Sequence, residues 1–214
     1  QHKAGDNEGA LLTSRTLVEV APQSPEAYVM LAMFQMKQQK QEDARVSLDQ
    51  AIKLKPDYSA DQVMLGKLSI TAKDYKAALA TAEGLRNFHP DAAYGDELAG
   101  DVYSAKSEHK QAAHAYALAY EKTATTQLAQ KLFHAHQKNG DHKAAQQALR
   151  QWLAKKPDDI VVHSMLARVL QSEGQNKEAL EQYQQILERD PDNITALNNI
   201  AWLYQEKGIP DGVK

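Results

Sequence analysis

Cysteine is absent from the 214 residues, so the chain has no disulfide, no thiolate nucleophile and no cysteine-ligated zinc. The absence fits oxidising and reducing compartments equally and does not locate the protein. Charge of one sign is also lacking. The 25 Lys and Arg stand against 28 Asp and Glu, a formal net charge of −3, and the longest basic run is Lys155-Lys156. No global basic field exists to attract nucleic acid or anionic lipid, and no nucleic-acid partner is expected. No apolar run approaches the roughly 18 residues that a membrane-spanning helix requires, so direct membrane insertion by this stretch is not expected. The chain opens at Gln1-His2-Lys3, without an initiator Met or a signal peptide, and any targeting segment is expected outside it. Aromatics are 7% of residues, and the G-x-S-x-G, phosphate-loop and G-x-G-x-x-G patterns do not occur.

Proline is sparse too, with seven in all, but five of them carry a period. Pro22 to Pro56, Pro56 to Pro90 and Pro157 to Pro191 are each 34 residues apart, and Pro90 to Pro157 is one step of 34 plus one of 33. A period near 34 in a chain rich in Ala, Leu and Gln points to stacked helical hairpins, because one hairpin cannot bury its apolar face alone.

With each proline at repeat position 32, full repeats span 25–58, 59–92, 93–125, 126–159 and 160–193. The stretch 1–24 reads as the second helix of a truncated repeat, and 194–214 as the first helix and start of another. Position 20 reads Ala44, Ala78, Ala112, Ala145 and Ala179, with Ala10 by extrapolation. Position 8 reads Ala32, Gly66, Gly100, Phe133, Ala167 and Ala201. Positions 4, 7, 8 and 11 share one face of a first helix, and positions 20, 24 and 27 share one face of a second. Small residues at 8 and 20 let the paired backbones approach, and larger ones at 7, 24 and 27 fill the space around them. Size trades between 24 and 27, as in Leu48/Ala51 and Tyr116/Ala119 against Ala82/Leu85. Helices are expected in pairs from 27–38 and 43–54 through to 195–207. Gly140, Gly174 and Gly208 at position 15 suit a left-handed C-cap. The Pro-Asp pairs at 56–57, 90–91, 157–158 and 191–192 are expected to stop the second helix, with Asp, Asn193 or Ser59 capping the next.

These residues resemble the tetratricopeptide repeat. Its W-x2-L-G-x2-Y…A-x3-F…P pattern is best matched by His163, Leu166, Ala167, Leu170, Ala179, Tyr183 and Pro191. The resemblance covers the whole chain and implies an all-α fold: a right-handed superhelix (α-solenoid) of antiparallel helix-turn-helix hairpins. Both ends fall inside a repeat, as expected for part of a longer array. One joint departs from the pattern. The repeat 93–125 is one residue short and ends in Glu121-Lys122-Thr123-Ala124-Thr125 without a proline, and the next repeat carries Phe133 and Trp152 at positions 8 and 27. Compensated repacking and a functional hinge are both consistent with that departure.

The eight histidines do not suggest a metal site, and neither metal nor other cofactor is expected. His134 and His136 point about 200° apart on a helix, and no carboxylate stands at metalloprotease spacing. No active site is expected, and the chain reads as a non-enzyme.

In tetratricopeptide arrays the first helices line a concave groove, with positions 2, 5, 9, 12 and 13 pointing inward. Transferred residue by residue, the resemblance gives a partner-binding surface of Met33, Lys67, Glu97, Asp101, Gln130, His134, Arg168, Asn198 and Trp202. Of these, Met33, Lys67, Asp101, His134, Arg168 and Trp202 project from successive first helices and are expected to be dispensable for pairing within a hairpin. A protein or peptide segment is the implied occupant. The Lys at position 5 with Asn at position 9 that grips the tails of heat-shock chaperones is not present. Longer strings, Asp192 to Glu206, Gln151 to Asp159 and Glu97-x2-Gly100-Asp101, resemble bacterial exosortase-system (PEP-CTERM) tetratricopeptide lipoproteins. That resemblance implies a bacterial scaffold in the periplasm or anchored to the outer membrane, serving exopolysaccharide and surface-protein export. A cytoplasmic co-chaperone or signalling adaptor, and a regulatory arm of a larger enzyme, are the competing readings. Neither the partner nor the oligomeric state is legible in the sequence.

Overall fold

The computed structural model describes residues 2–55 and 59–207, with side chains over 8–55 and 59–205. Every regular element among them is helical: α1 (His2–Val20), α2 (Pro25–Lys37), α3 (Gln41–Leu54), α4 (Ser59–Thr71), α5 (Tyr75–Phe88), α6 (Tyr94–Ala105), α7 (His109–Lys122), α8 (Thr126–Lys138), α9 (His142–Lys155), α10 (Ile160–Ser172), α11 (Asn176–Leu187) and α12 (Ile194–Lys207). The chain divides into two compact units between Thr123 and Ala124, at the joint that lacks its proline. The first unit holds α1–α7 and the second α8–α12. Within each, a helix packs on the next in sequence, and α4 also touches α6.

The paired helices close on the small residues. Ala44, Ala78, Ala112 and Ala179 are wholly buried and Ala145 nearly so, while Ala10 is half-buried. Leu48, Leu85, Leu149 and Tyr183 fill the space beside them. The glycines at position 8 are steric requirements. A Cβ on Gly66 would stand 2.4 Å from Leu98 Cδ2, and one on Gly100 would stand 2.4 Å from the Tyr116 ring. Position 24 in the third full repeat therefore carries Tyr116 because position 8 of its partner helix carries no side chain.

Each first helix that can be followed to its end stops in the same way. Position 15 is left-handed in all five hairpins, at φ 79° and 76° for Gly140 and Gly174 and 60° for Gln39, Lys73 and Ser107. The next residue's N–H then donates to the carbonyl at position 11: Lys40 to Gln35, Asp74 to Ser69, Glu108 to Tyr103, Asp141 to His136, and Gln175 to Leu170. This is the Schellman closure, which satisfies carbonyls that the helix end would otherwise leave open. Gly208 lies outside the described residues.

Helix starts match the sequence expectation in part. Asn193 caps α12 as expected, but Asp158 and Asp192, which directly follow their prolines, do not cap, and Asp159 caps α10. Asp159 Oδ1 accepts from Val162 N–H at 3.1 Å and Asn193 Oδ1 from Ala196 N–H at 3.0 Å, whereas Ala93 stands at the cap position of α6 with no side chain to cap it. The cap must stand three residues before the N–H it accepts, and Asp158 and Asp192 stand one residue too early. Pro56 and Asp57 lie outside the described residues. At the proline-free joint, Thr125 caps α8 through Leu128 N–H at 3.1 Å. Trp152 fixes the following joint of the second unit, donating its indole N–H to Asp159 Oδ2 at 2.7 Å while the Thr126 hydroxyl donates to the same oxygen at 2.8 Å.

Candidate binding clefts on the first helices

In the first unit, α4 and α6 stand side by side and leave a small cleft lined by Val63, Lys67, Tyr94, Glu97, Leu98 and Asp101. Tyr94, Glu97, Leu98 and Asp101 follow one another at helical spacing along a single face of α6. Lys67 and Tyr94 are exposed, and Glu97 and Asp101 are half-buried. Asp101 Oδ1 accepts a 2.9 Å hydrogen bond from the Tyr116 hydroxyl of α7. Burial, and then the Asp101 charge, raise that phenol well above its ordinary value. Asp101 thus helps close the hairpin, contrary to the expectation that it would be dispensable for pairing. The cleft mixes two carboxylates with one amine.

The second unit carries two larger clefts of different charge. Between α8 and α10 a cavity of about 260 Å³ is lined by Phe133, His134, Gln137, Met165, Arg168, Val169 and Ser172. Between α10 and α12 another of about 520 Å³ is lined by Arg168, Gln171, Ser172, Thr195, Asn199 and Trp202. Arg168 is common to both, and no carboxylate is among the residues lining either. Burial, with the Lys138 charge adding to it, lowers His134 below the ordinary histidine value. The imidazole is therefore neutral near pH 7, and the fixed positive charge of these clefts rests on Arg168. Trp202 is 41% exposed, a large apolar face left open to solvent.

Of the nine residues that the sequence singles out, Lys67, Glu97 and Asp101 come together in one cleft, His134 and Arg168 in another, and Arg168 and Trp202 in a third. Met33 is exposed on α2, Gln130 is half-buried on α8 and Asn198 is exposed on α12, and none of the three lines these cavities. Met165, Asn199 and Leu98, all at position 6, were missed. Position 6 stands one helical turn from positions 2 and 9, so these residues border the expected face.

The profile of the tetratricopeptide repeat-like domain matches residues 3–135, more than half the chain, and that of the TPR repeat matches residues 167–208. The chain belongs to the tetratricopeptide repeat-like family. Proteins of this family mediate protein–protein interactions, and their helical scaffold is generally non-catalytic. Solved structures agree on the fold. YrrB, described as a TPR protein with an unusual peptide-binding site, superposes with a TM-score of 0.55 at 22% identity, over 77% of this chain and 85% of YrrB. Yeast Tom70 gives 0.71 at 13% identity, over 94% of this chain and 44% of its own. PilF of Pseudomonas aeruginosa gives 0.62 at 16% identity, over 86% and 84%. No curated protein sequence matched the chain. Among the described residues, no helix is long and apolar enough to cross a membrane.

Proposed function

We propose that the chain is a non-catalytic interaction scaffold that holds polypeptide segments in the clefts between successive first helices. The observation that carries this reading is the run of position-9 side chains. In the first unit Lys67 and Asp101 share a cleft; in the second, His134 and Arg168 share one and Arg168 and Trp202 another. Every such residue comes from a separate helix, so a partner must span helices to touch two of them. Charges at fixed spacing orient and steer such a partner, and Trp202 supplies an anchor of large contact area. The peptide-binding site described for YrrB supports a peptide as occupant.

The strings that resemble exosortase-system lipoproteins support placing this scaffold in the bacterial periplasm or on the outer membrane, within machinery that exports exopolysaccharide and surface proteins. The test is recovery of partners from a bacterial envelope extract by the wild type and by Lys67→Ala, Arg168→Ala and Trp202→Ala. Each variant should lose partner relative to Glu181→Ala on the second-helix side. Equal recovery by all of them would place the binding surface elsewhere.

A further inference from the structure

The opposite face of α6 builds a second kind of site. Asp96 and Tyr103 lie about half a turn round the helix from Tyr94, Glu97 and Asp101, and they form the floor of a cavity of about 600 Å³ between α5 and α7. Its construction begins with Gly95, where a Cβ would stand 2.6 Å from Arg86 Cγ and 2.7 Å from the Ala82 carbonyl oxygen. The bare glycine lets α5 settle on α6 and places Arg86 over Asp96. Asp96 is 3% exposed, yet it is held between two cations. Arg86 Nε stands 2.7 Å from Oδ1 and Lys122 Nζ stands 2.7 Å from Oδ2. Arg86 is thereby fixed, and its terminal amino groups are engaged by no other described residue. On the α7 wall, Lys110 and His114 are one helical turn apart, exposed and without a partner among the described residues. Leu118, one turn further on, and the Tyr103 ring make the apolar wall.

Asp96 is the one carboxylate among the residues lining this cavity, and its charge is more than balanced by Arg86 and Lys122. Lys110 adds a further positive charge, in a chain whose net charge is −3. A volume of this size lies within the roughly 300–1,000 Å³ range of small-molecule sites, and a few fixed polar groups around apolar walls are their usual chemistry. From this the geometry points to a binding site for a small organic anion: a carboxylate or phosphate head set between Arg86, Lys110 and His114, with an apolar body against Tyr103 and Leu118. The site lies wholly within the first unit and does not depend on the clefts described above.

The test is a calorimetric and NMR titration of the full chain with 4-phenylbutyrate, phenyl phosphate and the uncharged 4-phenylbutanol. Both anions should bind saturably and shift the His114 ring and Leu118 methyl signals, with the alcohol at least about tenfold weaker. Lys110→Gln combined with His114→Gln removes two exposed side chains and should weaken the anions by about tenfold or more while the helical spectrum is kept. Gln111→Trp, at the cavity wall, should block binding by bulk. Absence of saturable binding by either anion, equal binding of the alcohol, or shifts confined to the Arg168 clefts would overturn the assignment.

Discussion

Replacing Gln39, Lys73 and Ser107 by glycine should stabilise the first unit, although glycine in or beside a helix ordinarily does the reverse. All three residues hold a left-handed backbone at φ 60° to complete a Schellman closure. That conformation costs a non-glycine residue roughly 1–2 kcal/mol through contact of Cβ with the following carbonyl. Glycine removes that cost but loses about 0.5–1 kcal/mol through the greater freedom of its unfolded chain. The balance is a gain of about 0.5–1 kcal/mol per site. All three side chains are exposed, so no packing is lost. The sites lie in separate hairpins and should add, giving about 1.5–3 kcal/mol for the triple variant. The second unit provides the converse. A Cβ on Gly140 or Gly174 would meet nothing within 4 Å, so an alanine there reports the backbone alone and should cost about 0.5–1 kcal/mol. Urea titration followed by circular dichroism measures both sets. A triple-glycine variant less stable than wild type would refute the reasoning, because no lost side-chain contact is available to explain it.

Further outcomes follow from buried groups. Asp61, wholly buried on α4 with neither carboxylate oxygen hydrogen-bonded, is pushed up to about 6 by burial and by the Glu26 charge, against the opposing Lys55. An unfolded Asp titrates near about 4, so the native state binds more protons between about pH 4 and 6, and unfolding free energy should fall by about 2–3 kcal/mol as pH rises through that window. Asp61→Asn should abolish that part of the pH dependence, and an unchanged slope between the two pH values would show that Asp61 does not titrate there. Gly100→Ala should cost about 1–3 kcal/mol by driving a methyl into the Tyr116 ring, seen as a lower urea midpoint; a wild-type midpoint would mean that the ring moves aside freely. Ala112→Leu or Ala179→Leu should cost about 1–3 kcal/mol by overpacking the paired helices, and a melting curve like wild type would show that position 20 tolerates volume. Asp101→Ala should lower stability by about 1–2 kcal/mol where Arg168→Ala does not, because Asp101 accepts from the half-sequestered Tyr116 hydroxyl; equal melts would remove that hydrogen bond from the account.

The helices and their pairing were legible because they rest on side-chain size at fixed positions. The buried alanines at position 20 and the glycines at position 8 sit where neighbouring helices pack closely, and a requirement of that kind leaves a period in the sequence. The left-handed residues were only partly legible. Gly140 and Gly174 announce the conformation, but Gln39, Lys73 and Ser107 adopt it with no glycine to mark it, since helix closure and hairpin packing outweigh the local cost. The division at Thr123 and Ala124 coincides with the missing proline, so the irregular joint was visible though its consequence was not. At the clefts, the position-9 residues followed from the repeat register only with the inward face that the tetratricopeptide resemblance implies, and Met33 at that position lines none of them. The tie between Asp101 and Tyr116 was not legible, because it depends on a tyrosine at position 24, where residue size changes from repeat to repeat. Asp61 was also missed: a single acid in the first turn of a helix reads as an ordinary exposed residue until its burial is seen.

The central claim, that polypeptide is held between neighbouring first helices, is tested most directly by photo-crosslinking at single positions. A p-benzoylphenylalanine replacing Lys67 or Arg168 on the first helices is compared with one replacing Lys76 or Glu181 on second helices, all four of which are exposed. After irradiation in a bacterial envelope extract, mass spectrometry identifies what has been captured. The account predicts that positions 67 and 168 capture peptide segments of a recurring partner, while 76 and 181 capture none of it. Capture of that partner at the second-helix positions, with none at 67 or 168, would contradict the account.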